Sequence, residues 1–487
     1  MITKINIIDR IGWRLLVAAF FTLQWPMVNG QRSMVNGQRS MVNGQRSMVN
    51  GQRSMVNGQR SMVNGQRSII SAQTVTDLIK NDPSYAACNY RVYPDSVEMP
   101  MTPPPAGKHP FYISHYGRHG SRYINNRKGY DVPYKMMLRA DSLGQLTPTG
   151  HDVLKEIELI IADTEGQWGD LTGFGMLQLR HIARRMTERF PEVLSGDARV
   201  DAKSTVVTRC MLSMGTFLME MAKINPELRI TMRASKRDMW YMNHQDKLLR
   251  KDMPEETEEA YNKFVAKYSK NRKLMNLLFT DPDSASTVVD ETRLNYYIIK
   301  MGLFQLNTHF YQKTFLTDLF EAEDLYRLWK TDNVWWYLNY GSSELNDGDR
   351  PYTQRYLLRQ IIADADSCMQ LERPGIQLRF GHETVLLPLT CLIGINGYDK
   401  HITDWEDIEA EGWLSSSVFP MASNLQFIFY RSDINDQDVL FKVLLNEQEA
   451  QLPIKTDCAP YYHWNDFRAF YLDKLDRYDE KRKALGQ

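Results

Sequence analysis

The sequence predicts an α/β fold: a mostly parallel sheet flanked by helices, with an inserted, mainly helical lid over residues 225–349. Two observations carry that expectation. Three segments far apart in the chain each read as a short apolar strand, then a cationic residue, then a helix. Residues 225–349 instead show long helical patterns rich in Lys, Glu and Tyr. Parallel strands joined by helices end on one edge of a sheet, and such folds bind ligands in the crevice beyond that edge.

The first 68 of the 487 residues do not read as core. Lys4, Arg10 and Arg14 precede the short apolar run Leu15 to Leu23, the pattern of a secretory signal peptide, expected over residues 1–26. The run is shorter than the about 20 residues a transmembrane helix needs. Export to the periplasm, cell surface or medium is expected, with no stable membrane span after cleavage. Trp25-Pro26 is a poor cleavage site, and Ser71-Ala72 is a second candidate. From Met27 to Ser68 the heptad MVNGQRS occurs six times unchanged. Met and Val are adjacent rather than three or four apart, and Asn-Gly favours turns, so the period does not describe a coiled coil. It reads as a flexible, mildly cationic tether ahead of one globular part, residues 69–487.

In chain order, Phe111 to Tyr116 alternates as a strand and runs into Gly117-Arg118-His119-Gly120-Ser121-Arg122. Two guanidiniums flank one imidazole, and the glycines let the backbone approach a ligand. Arg forks suit phosphate oxygens, and a neutral imidazole is a nucleophile for phosphorus. Thr172 is placed to cap a helix from Gly173 to Phe190, whose Arg180, Arg184, Arg185 and Arg189 read as a solvated face. Ser204 to Arg209 reads as the second strand, followed by a buried helix over Cys210 to Ile224. The insertion contributes helices at 255–278 and 292–310. Ile376 to Glu383 is the third strand segment, with an apolar helix behind it to Ile395. Strands return at Leu425 to Arg431 and Val439 to Asn446, and a charged helix begins at Trp464. If the three segments are parallel neighbours, Arg118, His119, Arg122, Arg209, His382 and Glu383 meet in one crevice.

Composition narrows the partners. Lysines and arginines equal aspartates and glutamates at 59 each, but the leader and repeat hold nine of the basic residues and one of the acidic ones. The globular part is therefore acidic overall, which argues against nucleic acid and for a local cationic pocket. The five cysteines are far apart with no zinc spacing; in an exported chain they allow up to two disulfides. His115 and His119 would suit a metal only on a helix, and their segment reads as strand and turn. Gly173-Phe174-Gly175 lacks the third glycine of a dinucleotide fingerprint, and neither a P-loop nor a G-x-S-x-G elbow occurs.

The stretch RHGSR, residues 118–122, resembles the RHGxR signature of the histidine acid phosphatases, a branch of the phosphoglycerate-mutase-like superfamily. VTRCMLSM (207–214) resembles the family's second phosphate-binding segment, and FGHETVLLPLTCLIGI (380–395) its C-terminal His-plus-acid segment. VWWYLNYG (334–341) and VLLNEQEAQLPI (443–454) resemble the multiple inositol polyphosphate phosphatase branch. The similarity spans residues 85–475. It implies that His119 is the nucleophile and becomes a phosphohistidine. Arg118, Arg122, Arg209 and His382 would hold the phosphoryl group, and Glu383 would protonate the leaving alcohol. The implied substrates are small phosphate esters, above all inositol polyphosphates such as phytate, with no metal or other cofactor. A broad-specificity acid phosphatase and an inactive phosphate-ligand binding protein remain open alternatives. Arg127, Lys128, Lys236, Arg237, Arg250 and Lys251 lie where loop or lid could reach a second substrate phosphate, though each also reads as solvated surface. Two departures stand out. The family pattern has proline where this chain has Ile124. The acid follows His382 directly, where the inositol branch reads His-Ala-Glu and the wider family His-Asp.

Overall fold

The alternating run His109–Arg118 forms the strand on which the sheet is laid, β1, in the computed structural model. The structure describes residues 74–94, 101–244, 246, 249, 253–308, 314–344 and 347–486. The leader, the heptad repeat, Arg250 and Lys251 lie outside these residues. Tyr112 and Tyr116 of β1 enter one apolar core and Ile113 the other, so the strand is covered on both faces. That double burial suits its dense run of aromatic and branched side chains.

The remaining strands are β2 (Arg199–Ser204), β3 (Arg229–Ala234), β4 (Gly375–Gly381), β5 (Asn424–Arg431), β6 (Leu440–Leu445), β7 (Gln448–Ala450) and β8 (Tyr462–His463). The sheet order is β3-β2-β4-β1-β5-β6-β7, with β8 on β6. Its first four strands are parallel, each separated from the next by helices. From β5 onward the strands run antiparallel. Short connections keep β5, β6 and β7 antiparallel to one another. Between β6 and β7 the loop is only Asn446 and Glu447, both left-handed at φ 51° and 65°, a two-residue hairpin turn.

The first expected strand segment stands, the third ends at Gly381 with Glu383 already starting the helix behind it, and the second is shifted. β2 ends at Ser204, because Val200, Ala202 and Ser204 supply the buried alternation. Val206 is 41% exposed in the turn that follows, and the helix starts at Thr208. Within 225–349, Arg229–Ala234 joins the sheet as its edge strand, and helices Glu255–Tyr268, Arg272–Leu278, Glu291–Gln305 and Ala322–Tyr340 follow. The single helix expected at 255–278 is two, because Asn271 leaves helical geometry and caps the second by accepting from the Leu274 N–H at 3.1 Å.

Helix Gly173–Arg189 starts at Thr172 as expected, with the Thr172 hydroxyl accepting from the Gly175 N–H at 3.0 Å. Such a cap contributes about 1 kcal/mol. Its arginine face is only partly solvated. Arg180 is exposed, whereas Arg185 lies 2.6 Å from the buried carboxylate of Glu447 and Arg184 2.6 Å from Glu220. All five cysteines are free thiols rather than disulfides. They sit among separate neighbours, Cys88 beside Ser415, Cys210 beside His382 and Cys458 beside Thr456. No helix among the described residues is long and apolar enough to cross a membrane.

Candidate active site

Sheet register brings the three segments together. Arg118 lies opposite Gly381 and Ser204 opposite Phe380, so β1, β4 and β2 end on one edge. Beyond it, the His119 backbone is held on both sides. Its N–H donates to the Gly381 carbonyl at 3.1 Å, and its carbonyl accepts from the Ala422 N–H at 3.0 Å.

The His119 imidazole is fully buried, with Nδ1 2.8 Å from the Gly120 carbonyl oxygen. A carbonyl only accepts, so Nδ1 carries the proton and the lone pair is on Nε2. Nε2 has no hydrogen-bond partner. Burial, helped by the charge of Arg118, pushes the imidazole pKa down to about 3 against the pull of Glu383, so it is neutral over the ordinary pH range.

Three guanidiniums surround it. Arg118 donates from Nη1 to the Phe419 carbonyl at 2.7 Å, and its Nε lies 3.1 Å from Glu383 Oε2. Burial lowers its pKa to about 10, which leaves it cationic. Arg122 donates from Nη1 to the Tyr123 carbonyl at 2.9 Å and to the Tyr90 hydroxyl at 3.3 Å, over whose ring it stacks at 5.0 Å. Its Nη2 is 4.0 Å from Glu383 Oε1. Arg209 comes from the first turn of helix Thr208–Ile224, not from a strand end. Arg118 Nη2, Arg122 Nε and Arg209 Nε are buried without hydrogen-bond partners. Buried donors left unpaired are costly, and three on neighbouring guanidiniums are what an oxyanion would satisfy.

His382 and Glu383 close the site from the end of β4. The His382 ring stands edge-on to His119 at 5.8 Å, and its Nε2 is 3.3 Å from the Thr205 hydroxyl. Burial pushes its pKa down to about 4. Glu383 begins helix Glu383–Ile393, and its Oε2 is 3.6 Å from His119 Nε2. Burial alone would raise its pKa, but the charges of Arg118 and Arg122 hold the carboxyl well below the usual range. His119, His382 and Glu383 do offer ligand atoms within 4.8 Å of one another. With three guanidiniums alongside, however, the local field favours an anion over a cation.

All six core candidates thus meet. Arg127 and Lys128 are not in contact with them. Arg127 pairs with Asp131 at 3.1 Å and Glu165 at 3.5 Å, and Lys128 is exposed at the start of helix Lys128–Ser142. Lys236 and Arg237 are exposed in a turn after β3.

The glycines serve chain packing more than ligand approach. A Cβ on Gly120 would lie 2.4 Å from the Gly175 carbonyl oxygen, and one on Gly175 would lie 2.2 Å from that of Ser121. The phosphate-type loop therefore rests backbone to backbone on the start of helix Gly173–Arg189. The Gly173-Phe174-Gly175 motif was visible in the sequence, but its partner was not. Ser121 is held further by Gln178, which accepts from its N–H at 3.0 Å, and by Asn307, which accepts from its hydroxyl at 2.6 Å. Asn307 in turn donates to the Tyr90 carbonyl at 2.6 Å. No local sequence signal marks Tyr90 or Asn307, because Tyr90 reaches Arg122 across 32 residues and Asn307 reaches Ser121 across 186. Ile124 donates its N–H to the Tyr130 hydroxyl at 3.2 Å, a bond the family's proline would not make.

Fold and site together define a class: an α/β protein with a deeply buried, cationic, anion-accepting crevice at the carboxyl edge of parallel strands. The chain belongs to the histidine phosphatase superfamily (branch 2), whose profile matches residues 117–446. Among solved structures, the multiple inositol polyphosphate phosphatase of Bifidobacterium longum, in complex with inositol hexasulfate, is similar at 16% identity. The match covers 78% of this chain and 96% of that one with a TM-score of 0.62. The phytase from D. castellii is similar at 12% identity over 80% of this chain and 85% of that one, with a TM-score of 0.63. At such identities the likeness establishes the fold. No curated protein matches the chain. Family membership supports phosphatase activity on a small phosphorylated substrate.

Proposed function

We propose that the protein hydrolyses phosphomonoesters through a phosphohistidine on His119, and that its substrates are inositol polyphosphates such as phytate. The observation that carries the mechanism is His119 Nε2: buried, unprotonated and without a hydrogen-bond partner, among donors of three guanidiniums that also lack partners. In the first step the Nε2 lone pair forms a bond to phosphorus and the ester P–O bond breaks. Glu383 gives its proton to the departing alkoxide. In the second, water attacks phosphorus, the P–N bond breaks and Glu383 takes the water proton, which returns both residues to their starting states. Arg118, Arg122, Arg209 and His382 hold the phosphoryl oxygens as charge spreads over them.

In the free protein Glu383 is ionised, so its acid role depends on the substrate. A phosphoryl oxygen that takes over Arg118 Nε removes the carboxylate's strongest partner, and the substrate's negative charge raises its pKa. Support for inositol polyphosphates comes from the 334–341 and 443–454 segments and from the fold shared with the Bifidobacterium longum enzyme. The signal-peptide reading of residues 1–26 supports a reaction outside the cytoplasm.

Phosphate released from phytate and from p-nitrophenyl phosphate by the purified protein tests this reading. No release from either would refute the enzyme, and a strong preference for the small ester would refute the phytase. Labelled phosphate trapped on His119→Ala at the full level would refute the nucleophile.

A further inference from the structure

Away from the crevice, Asp438, Asp457, Cys458 and His463 converge where β8 meets the edge of β6. His463 pairs with Leu440 of β6 and immediately precedes the final helix, Trp464–Ala484. Its imidazole lies between two carboxylates, with Nδ1 2.6 Å from Asp438 Oδ1 and Nε2 2.9 Å from Asp457 Oδ1. Cys458 Sγ is 3.9 Å from the same Nε2. Asp457, Cys458 and His463 each present one ligand atom, all within 4.8 Å of one another.

We propose that these residues form a zinc site, with the Cys458 thiolate, His463 Nε2 and an Asp457 carboxylate oxygen as ligands and water in the fourth position. The ligand set is selective, since thiolate with imidazole suits zinc and not magnesium or calcium. The spacing is close to what the ion needs. Tetrahedral bonds of about 2.0–2.3 Å set ligand atoms roughly 3.3–3.7 Å apart, and the two observed separations bracket that range. Small side-chain rotations close the difference. Asp438 on Nδ1 provides the orienting carboxylate that metal-bound histidines usually have.

The loop carrying Cys458 is already built. The Tyr461 N–H donates to the Cys458 carbonyl at 2.9 Å, and the Thr456 hydroxyl donates to the Tyr461 carbonyl at 2.7 Å. The Asp457 side chain is 84% exposed, so the ion enters from solvent. Binding releases the thiol proton and the proton that His463 Nε2 donates to Asp457, and ties loop 456–461 and the base of the last helix to the sheet edge.

Cobalt titration of the full chain tests the proposal, because a Co²⁺–thiolate bond gives a charge-transfer band in the near ultraviolet. One equivalent of Co²⁺ should give that band, and Zn²⁺ should displace it. The band should persist in His119→Ala and vanish in Cys458→Ser. Asp438→Asn, which keeps every ligand, should weaken zinc binding about 10- to 100-fold. Asp457→Asn should weaken it too, and covers the case in which Cys458→Ser does not fold. No band with the unaltered chain would overturn the site. A band surviving in folded Cys458→Ser would place the metal elsewhere, at Cys210 and His382, and overturn it equally. Undiminished affinity in both aspartate variants would do the same.

Discussion

Glu383 Oε2 lies 3.6 Å from His119 Nε2, so the carboxylate and the imidazole share one buried space that also holds Arg118 Nε, 3.1 Å from the same oxygen. A carboxylate in that place is both a guard of the anion pocket and the group best placed to hand a proton to an ester oxygen. Glu383→Gln keeps the shape and removes the proton. Turnover of phytate, whose alkoxide needs that proton, should fall by about 10²- to 10⁴-fold. Turnover of p-nitrophenyl phosphate, with its stabilised leaving group, should fall much less. Equal losses on the two substrates, measured as kcat, would remove Glu383 from the acid role.

The pH profile follows from the same pair. On the proposed mechanism His119, with its pKa down at about 3, attacks as a neutral imidazole above that pH, and the attack is lost as acid protonates it. Glu383 starts from a depressed pKa and is raised by bound substrate, so the donor is lost as pH rises through its value in the complex. Steady-state kcat on phytate should therefore be bell-shaped with an acidic optimum. The alkaline fall should be absent in Glu383→Gln. Activity that keeps rising into alkaline pH would contradict the assignment.

Gly175→Ala probes the seat of the loop. Its Cβ would lie 2.2 Å from the Ser121 carbonyl oxygen and 2.6 Å from the Ser121 nitrogen, both backbone atoms that cannot swing away. The expected outcome is a loss of at least about 1–3 kcal/mol in stability, read by denaturant unfolding, with kcat/KM down tenfold or more. Gly173→Ala, two residues earlier, meets nothing within 4 Å and serves as the control with little change.

His115 predicts acid lability that is separate from catalysis. It packs between Phe217 and Phe380, and burial, aided by Arg379, pushes its pKa down to about 3. The unfolded chain, with an ordinary histidine near 6.5, binds more protons between those two values. Stability is therefore fully present above about pH 6.5 and is lost as pH falls towards about 3, at roughly 1 kcal/mol per pH unit for one such group. His115→Leu should flatten that slope in unfolding curves taken at pH 7 and pH 4.5. An unchanged slope would show that His115 is not the source.

Much of the site was legible because its chemistry is local. RHGSR, the Thr208-Arg209 pair and His382-Glu383 are each contiguous, and each sits at a recognisable change from apolar strand to helix. Where local pattern misled, longer-range packing had decided. Val206 and Val207 look like strand, yet Val200 and Ala202, interleaved with polar residues, are the ones buried against β4. Arg185 looks solvated until Glu447, some 260 residues later, turns out to lie beneath it.

By itself, then, the sequence determined the fold class, the three chemistry-bearing segments, the Thr172 cap and the residue types that handle an oxyanion. All of these depend on the periodicity and chemistry of short stretches. Only the tertiary structure decided the register that aligns Arg118 with Gly381, the antiparallel half of the sheet, and the free state of the cysteines. It also decided the backbone contact of Gly120 with Gly175, the burial that keeps His119 neutral, and the arginine charges that keep Glu383 ionised. Those depend on pairings between residues tens to hundreds of positions apart, and on the loss of water they cause, which no short stretch encodes.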